Sequence, residues 1–255
     1  MKINYSLNSR IDWLANKNSI AALLAITALR KERIDCCEIK EIAPASTNAV
    51  CLTENYVVKI YAPEICGYNP LCDLERETYA FELMRNFEIC VPRLIAYGLL
   101  EYDCSFYYCI VERIKIPPVK YFLRFCSKNE AIKLGKQLNE KLNIFQFVTI
   151  DRPELAKAGK LHKDSIFVYS DLTGDNVLYN GNSLAIIDFE DWHLAPPYTE
   201  LPAIVFNMLY KNKHIDIAPL FFDIPYVELK EKLYAGINTH YESHRFLNMY
   251  NSLFK

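Results

Sequence analysis

The segment Tyr169–Asp191, YSDLTGDNVLYNGNSLAIIDFED, constrains this chain more than any other stretch. Asp171 is followed at the fifth position by Asn176, then by two short β-like runs, NVLY and LAIID; the second run ends on Asp188-Phe189. Asn180-Gly181 between the runs supplies the residue types that a tight hairpin turn requires. A loop followed by a hairpin brings Asp171, Asn176 and Asp188 to one edge, although 17 positions separate the two carboxylates. Phosphoryl transfer needs parts of this kind. One carboxylate must sit beside an acceptor hydroxyl and take its proton. A second carboxylate and an amide oxygen must hold Mg²⁺ against the phosphates, and hard oxygen ligands suit that ion. D-x-x-x-x-N alone is as easily an Asp turn followed by an Asn cap. The hairpin and the I-D-F at this distance give the pattern its specificity.

The first half alternates β-like runs with turn residues. CCEIKEIA (36–43), NAVCLT (48–53), YVVKIY (56–61), RLIAYGLL (93–100) and FYYCIVERI (106–114) read as strands, with a hairpin turn at Thr53–Asn55. Asp73–Asn86 reads as an amphipathic helix with Leu74, Tyr79 or Ala80, Leu83 and Met84 on one face, and Ile20–Leu29 as a buried helix. Lys59 lies mid-strand between Val58 and Ile60, and a lysine there needs a partner. The downstream helix offers Glu77, with Glu75 and Glu82 as rivals, since the phase of the helix is not fixed by spacing. Residues Glu112–Val119, with Pro117-Pro118, lack periodicity and mark a boundary. The expected division is 1–113 as a nucleotide-binding N-lobe and 114–255 as a catalytic and acceptor-binding C-lobe. Beyond it, Asn129–Phe147 reads as a long helix, Asp151–Asp164 as polar connection, IFVY (166–169) as a strand, and the chain from Tyr198 as helical and aromatic-rich.

These residues resemble the aminoglycoside phosphotransferase and choline kinase group of the protein-kinase-like fold, from about Pro44 to Val205. The likeness is most specific at Ser170–Asp191 and Val57–Tyr61, where the family reads H-G-D-x-x-x-x-N, then I-D-F or I-D-W. The resemblance implies a two-lobed α+β fold. Its N-lobe is an antiparallel sheet plus helix, and its C-lobe is mainly helical with a catalytic hairpin, the nucleotide lying between the lobes. It implies Asp171 as catalytic base, Asn176 and Asp188 as Mg²⁺ ligands, Lys59 on the phosphates and Glu77 orienting Lys59. Glu112 and the residues after it would receive the base of ATP or GTP. Loop Pro44–Asn48 would hold phosphates through backbone amides and the Ser46, Thr47 and Asn48 side chains. The acceptor would be a small molecule bearing a hydroxyl, cationic ones such as aminoglycosides or choline-like metabolites included, which points to antibiotic resistance as one role. Asp175, Glu190, Asp191 and Glu200 can supply an acidic acceptor site, and aromatic residues of Phe206–Tyr226 can line it. T-E-L-P (Thr199–Pro202) stands where the family has Y-D-L-A, giving Glu200 a structural role beneath the catalytic loop.

Three departures stand out. Tyr169-Ser170 replaces His-Gly, the phosphate loop has no glycine, and Glu190 follows Phe189 where protein kinases have Gly. The first two motivate an alternative, a nucleotide-binding pseudokinase acting as a scaffold or regulator. The third fits small-molecule kinases better than protein kinases.

Other readings are excluded or bland. The formal charge is −2 with scattered Lys and Arg, so neither nucleic acid nor an anionic membrane is an expected partner. The opening MKINYSLNSR has no apolar h-region, and the nine cysteines show no C-x-x-C spacing. Free thiols in a reducing cytoplasm are therefore expected. With seven glycines and no G-x-G-x-x-G or Walker A motif, dinucleotide and P-loop folds are not expected. His240 and His244, in H-Y-E-S-H, read as a solvated helix face rather than a metal site.

Overall fold

A computed structural model of the chain describes residues 7–35, 38–87, 89–157, 163–240 and 242–254. They form two compact units. One holds the chain up to Glu82 together with Pro92–Lys115, the other Leu83–Val91 with the chain from Ile116 onward.

The first unit is built on a five-stranded antiparallel sheet. Its strands are β1 (Glu41–Ala43), β2 (Ala49–Leu52), β3 (Tyr56–Ile60), β4 (Leu94–Glu101) and β5 (Ser105–Glu112), in the order β1-β2-β3-β5-β4. The expected strand 36–43 is thus reduced to its last three residues, and its Cys36-Cys37 lies outside the described residues. Thr53 makes the β2–β3 turn: its Oγ1 accepts the N–H groups of Asn55 and Tyr56, and its own N–H donates to Tyr56. Side chains alternate across β5, so Phe106, Tyr108 and Ile110 all enter the core. Helix α1 (Arg10–Lys31) covers that core. Ser9 caps it by accepting the Asp12 N–H. Trp13, Ile20, Leu24 and Ala28 recur at intervals of seven, four and four residues, so one face is buried. The buried helix expected at Ile20–Leu29 is the middle of this longer one. Helix α2 runs from Pro70 to Arg85, three residues longer at its start than expected and one shorter at its end.

The second unit is mainly helical. It contains α3 (Val119–Leu123), α4 (Lys128–Ile144), α5 (Ala218–Phe222), α6 (Tyr226–Thr239) and α7 (Ser243–Phe254), with a π-helical segment at Ala203–Leu209. A capping box of Ser127 and Glu130 starts α4. A tight turn, Phe145–Phe147, continues it, so the helix expected at 129–147 is present with a changed last turn. Two antiparallel ribbons complete the unit. β6 (Ile166–Val168) pairs with β9 (His193–Ala195), and β7 (Val177–Tyr179) pairs with β8 (Leu184–Ile186). The β7–β8 hairpin turns at Asn180-Gly181 as expected, with Gly181 at φ 98° and Asn180 Oδ1 accepting two N–H groups. β9 has no counterpart in the sequence reading, because its three residues carry no period of their own. Phe167 of β6 stacks on Trp192 at 5.2 Å and meets Phe145 edge-on, which ties the ribbon to the end of α4. Among the described residues no helix is long and apolar enough to cross a membrane.

Candidate active site

In the first unit the lysine expected to grip phosphates has the partner it needs. Lys59 is 7% exposed on β3, and its Nζ lies 2.9 Å from Glu77 Oε2, itself 2% exposed. The phase of α2 places Glu75 and Glu82 on the exposed side, which decides among the three candidates. The Tyr61 hydroxyl donates to the same Glu77 oxygen at 2.6 Å. Burial, with Cys109 and Glu77 beside it, pushes the Tyr61 phenol well above its usual range, so the hydroxyl stays a donor.

The glycine-free loop Pro44–Asn48 is held by α1. Lys17, buried one turn after Trp13, donates to the carbonyls of Ala45, Ser46 and Asn48, and Trp13 Nε1 donates to Thr47 O at 2.7 Å. Four consecutive carbonyls therefore face the helix. Across a trans peptide the N–H points opposite its carbonyl, so the N–H groups of Ser46, Thr47 and Asn48 face away from α1. Ser46 is exposed and Thr47 half-buried, whereas the Asn48 side chain is buried and accepts the Ala62 N–H at 3.0 Å. Lys17 and Trp13 were not singled out from the sequence; their i, i+4 spacing on the buried face is the signal that a lysine there required an explanation. Glu112 is exposed at the end of β5, paired with Arg93 at 3.0 Å, and its N–H donates to Arg93 O.

In the second unit the Asp171, Asn176 and Asp188 segments come together. Asn176 Nδ2 donates to Asp171 Oδ2 at 2.8 Å and to Asp171 O at 3.1 Å. The Ile187 N–H donates to Asn176 O at 3.0 Å, which docks the strand end carrying Asp188 beside Asn176. Asp188 stands at φ 67°, a left-handed conformation that a side chain adopts only when its surroundings hold it. Tyr169, in the place of the family histidine, supplies part of that hold. Its hydroxyl donates to the carbonyls of Ile187 and Asp188, and its ring meets Phe189 edge-on at 4.8 Å. Burial first, then the neighbouring Asp188 and Asp191, push the Asp171 carboxyl up to about 7 against the stabilising Asn176 hydrogen bond.

Beneath Asp171, Ser170 is also left-handed, at φ 78°, and almost fully buried. Its N–H donates to Glu200 Oε1 at 2.7 Å, its hydroxyl is bonded to His193 Nδ1, and its carbonyl faces His240 Nε2 at 3.2 Å. Glu200 thus takes the structural position expected for it and does not face an acceptor. Burial pushes its carboxyl up to about 8 despite the Ser170 N–H. Asp175 is paired with Lys120 and Asp191 with Lys157, so two more of the four acidic acceptor candidates already have a cationic partner. The solvated helix face expected at His240 is not found. α6 ends at Thr239, α7 begins at Ser243, and His240 between them is 3% exposed. Spacing could not reveal this, because its partner lies 70 residues away.

Residues 129–224 match the phosphotransferase enzyme family. Solved structures share the fold. The streptomycin–ATP–APH(2")-IIa ternary complex aligns with TM-score 0.60 at 14% identity, over 83% of this chain and 86% of the other. The GDP and kanamycin complex of APH(2")-IIia aligns with TM-score 0.65 at 12% identity, over 90% and 98%. Amicoumacin kinase hAmiN in complex with AMP-PNP, Ca²⁺ and Ami aligns with TM-score 0.57 at 13% identity, over 82% and 76%. No curated protein matches the sequence. The family match over residues 129–224 and the shared fold together make this a chain of the protein-kinase-like fold, similar to the aminoglycoside phosphotransferases.

Proposed function

We propose that the chain is a small-molecule kinase that moves the γ-phosphate of ATP or GTP onto a hydroxyl of a small acceptor, cationic acceptors such as aminoglycosides or choline-like metabolites included. The observation that carries this reading is the Asp171–Asn176 hydrogen bond with the Asp188 strand end docked beside it. Asp171 takes the proton of the acceptor hydroxyl and aligns its oxygen on the phosphorus. Little covalent work is left to the protein, so catalysis is positioning and charge stabilisation.

The donor set fits Mg²⁺. The Asn176 amide nitrogen is committed to Asp171, which turns its oxygen toward the remaining side. The Asn176 amide oxygen and the Asp188 carboxylate are hard ligands and would hold Mg²⁺, an ion that usually keeps several waters. When bound, Mg²⁺ offsets the negative charge of the phosphates. Lys59, held by Glu77, adds a fixed ammonium for the α/β-phosphates, and the outward amides of Ser46, Thr47 and Asn48 add neutral donors. Glu112 and the residues after it receive the nucleotide base.

The similar structures solved with streptomycin and with kanamycin, and that of an amicoumacin kinase, make aminoglycosides and similar antibiotics the first acceptors to try. The test is transfer of label from γ-³²P ATP and GTP, with and without Mg²⁺, across a library of aminoglycosides, amino alcohols and choline-like amines. A labelled product that disappears without Mg²⁺ is expected. A protein that binds Mg²⁺-nucleotide tightly and labels no acceptor would instead be the scaffold of the alternative reading.

A further inference from the structure

We propose that His240 and His193 are positioning residues for the base: together they fix the Ser170–Asp171 peptide from parts of the chain that the phosphotransferase motif does not include. The inference rests on the reading of Asp171 as base. It starts from a conflict in the backbone. Ser170 occupies a left-handed conformation, φ 78°, where the related motif has glycine. For a residue with a Cβ that conformation is strained, because the Cβ crowds the neighbouring carbonyl oxygen. Ser170 is 1% exposed, so water cannot satisfy its polar groups, and the surroundings must both satisfy them and hold the strained turn.

They do so from three elements. The turn Pro197–Glu200 takes the Ser170 N–H, β9 takes its hydroxyl through His193 Nδ1, and the residue after α6 takes its carbonyl through His240 Nε2. The last contact bears most directly on Asp171. The Ser170 carbonyl and the Asp171 N–H belong to one planar peptide, so fixing the oxygen fixes the direction in which the chain enters Asp171.

His240 is itself fixed. A carbonyl only accepts, so Nε2 carries the proton, and Nδ1 accepts the Glu242 N–H at 3.0 Å. Both ring nitrogens are therefore used by one neutral tautomer. The ring edge also meets Phe246 of α7, with centroids 4.7 Å apart. α6 reaches this place because Gly236 packs on the Tyr198 backbone. A Cβ at Gly236 would lie 2.0 Å from Tyr198 O, and any side chain there would lift the helix end away. Burial lowers the His240 pKa to about 4 and lowers that of His193, so the neutral forms persist at ordinary pH.

Two substitutions separate positioning from bulk packing. His240→Gln keeps an N–H donor near the Nε2 position, whereas His240→Leu keeps volume without it. For His240→Leu we expect kcat to fall by up to ~10²-fold, with KM for the nucleotide changed less than about threefold. His240→Gln should regain most of that loss. Amide exchange at Ser170 and Asp171 should speed up in the Leu variant and slow again in the Gln variant, while α4 amides stay protected. At the other contact, His193→Ala leaves a buried hydroxyl without its partner. The double variant Ser170→Gly/His193→Ala removes both that hydroxyl and the strained Cβ, and it should outperform the single variant. ¹⁵N spectra should show His240 as the neutral Nε2–H tautomer.

The proposal fails if the Leu variant keeps wild-type kcat and exchange, if Gln is no better than Leu, or if His240 carries its proton on Nδ1. Should the Leu variant not fold, the Gln variant and the His193 pair give the answer. Exchange and tautomer need no turnover, so they decide the matter even for a chain that phosphorylates no acceptor, an outcome that would overturn only the kinase reading.

Discussion

The Asn176 side chain donates its amide to the Asp171 carboxylate at 2.8 Å. One contact therefore does two things: it restrains the Asp171 carboxylate and commits the Asn176 amide nitrogen, leaving the amide oxygen for the proposed cation. If Asp171 is the base, its charge acts on the transition state and contributes little to holding nucleotide. Asp171→Asn keeps the shape and loses the basicity, and general-base assistance is typically worth ~10²–10⁴ in rate. We expect a kcat loss of that order with nucleotide affinity changed only a few-fold, read by steady-state transfer beside nucleotide titration. Wild-type turnover in Asp171→Asn would remove Asp171 from the mechanism.

Lys59 and Glu77 are both buried, so removing one strands the other. Breaking a buried pair costs on the order of 3 kcal/mol. The Tyr61 hydroxyl on the same Glu77 oxygen softens that loss. Lys59→Ala should therefore lower stability to denaturant and weaken nucleotide binding. The double variant Lys59→Met/Glu77→Leu should recover the stability and leave the binding weak. Recovery of both would place Lys59 outside the phosphate site.

Asp188 is the one carboxylate of the proposed metal pair. Asp188→Ala should erase the difference between nucleotide titrations run with and without Mg²⁺, while leaving Asp171 and Asn176 bonded to each other. Calorimetry makes the comparison directly. A metal effect of wild-type size in this variant would leave Asp188 as the end of a strand and nothing more.

The parts of this site that were legible in the sequence are those whose residues are close along the chain. Asp171 to Asn176 spans one turn, and Asn180-Gly181 dictates the hairpin that returns Asp188. Lys59 mid-strand announced a need for a partner. Which glutamate answered depended on the phase of α2, which turns Glu75 and Glu82 to the exposed side. The supports beneath Asp171 were not legible. Ser170 meets His193 across 23 positions and His240 across 70, and neither histidine has a periodic neighbour to betray its direction. The same holds for Lys17, which reaches Ala45, Ser46 and Asn48 from a helix that looked simply apolar. Spacing reports what one element faces; it does not report what another element brings to it.

Glu200 offers a test of these supports through pH. Its carboxyl is fully buried and pushed up to about 8, from an ordinary value near 4.5 in the unfolded chain. Between those values the folded state binds the extra proton. Stability therefore falls as pH rises from about 4.5 through 8, since keeping the fold there means keeping the proton or burying a charge. His240 acts in the opposite sense at lower pH. Its pKa is about 4 when folded, so its contribution is lost as pH falls from 6.5 toward 4. Glu200→Gln keeps an oxygen for the Ser170 N–H and cannot ionise, so comparing it with wild type isolates the Glu200 contribution from that of His240. We expect the wild-type melting temperature to decline more steeply than that of Glu200→Gln between pH 6 and pH 9, the two curves converging near pH 5. The expectation follows from burial dominating over the Ser170 hydrogen bond, which alone would favour the carboxylate. Parallel melting curves across that range would mean that Glu200 is charged in the folded protein, and that the Ser170 N–H and its surroundings stabilise the charge after all.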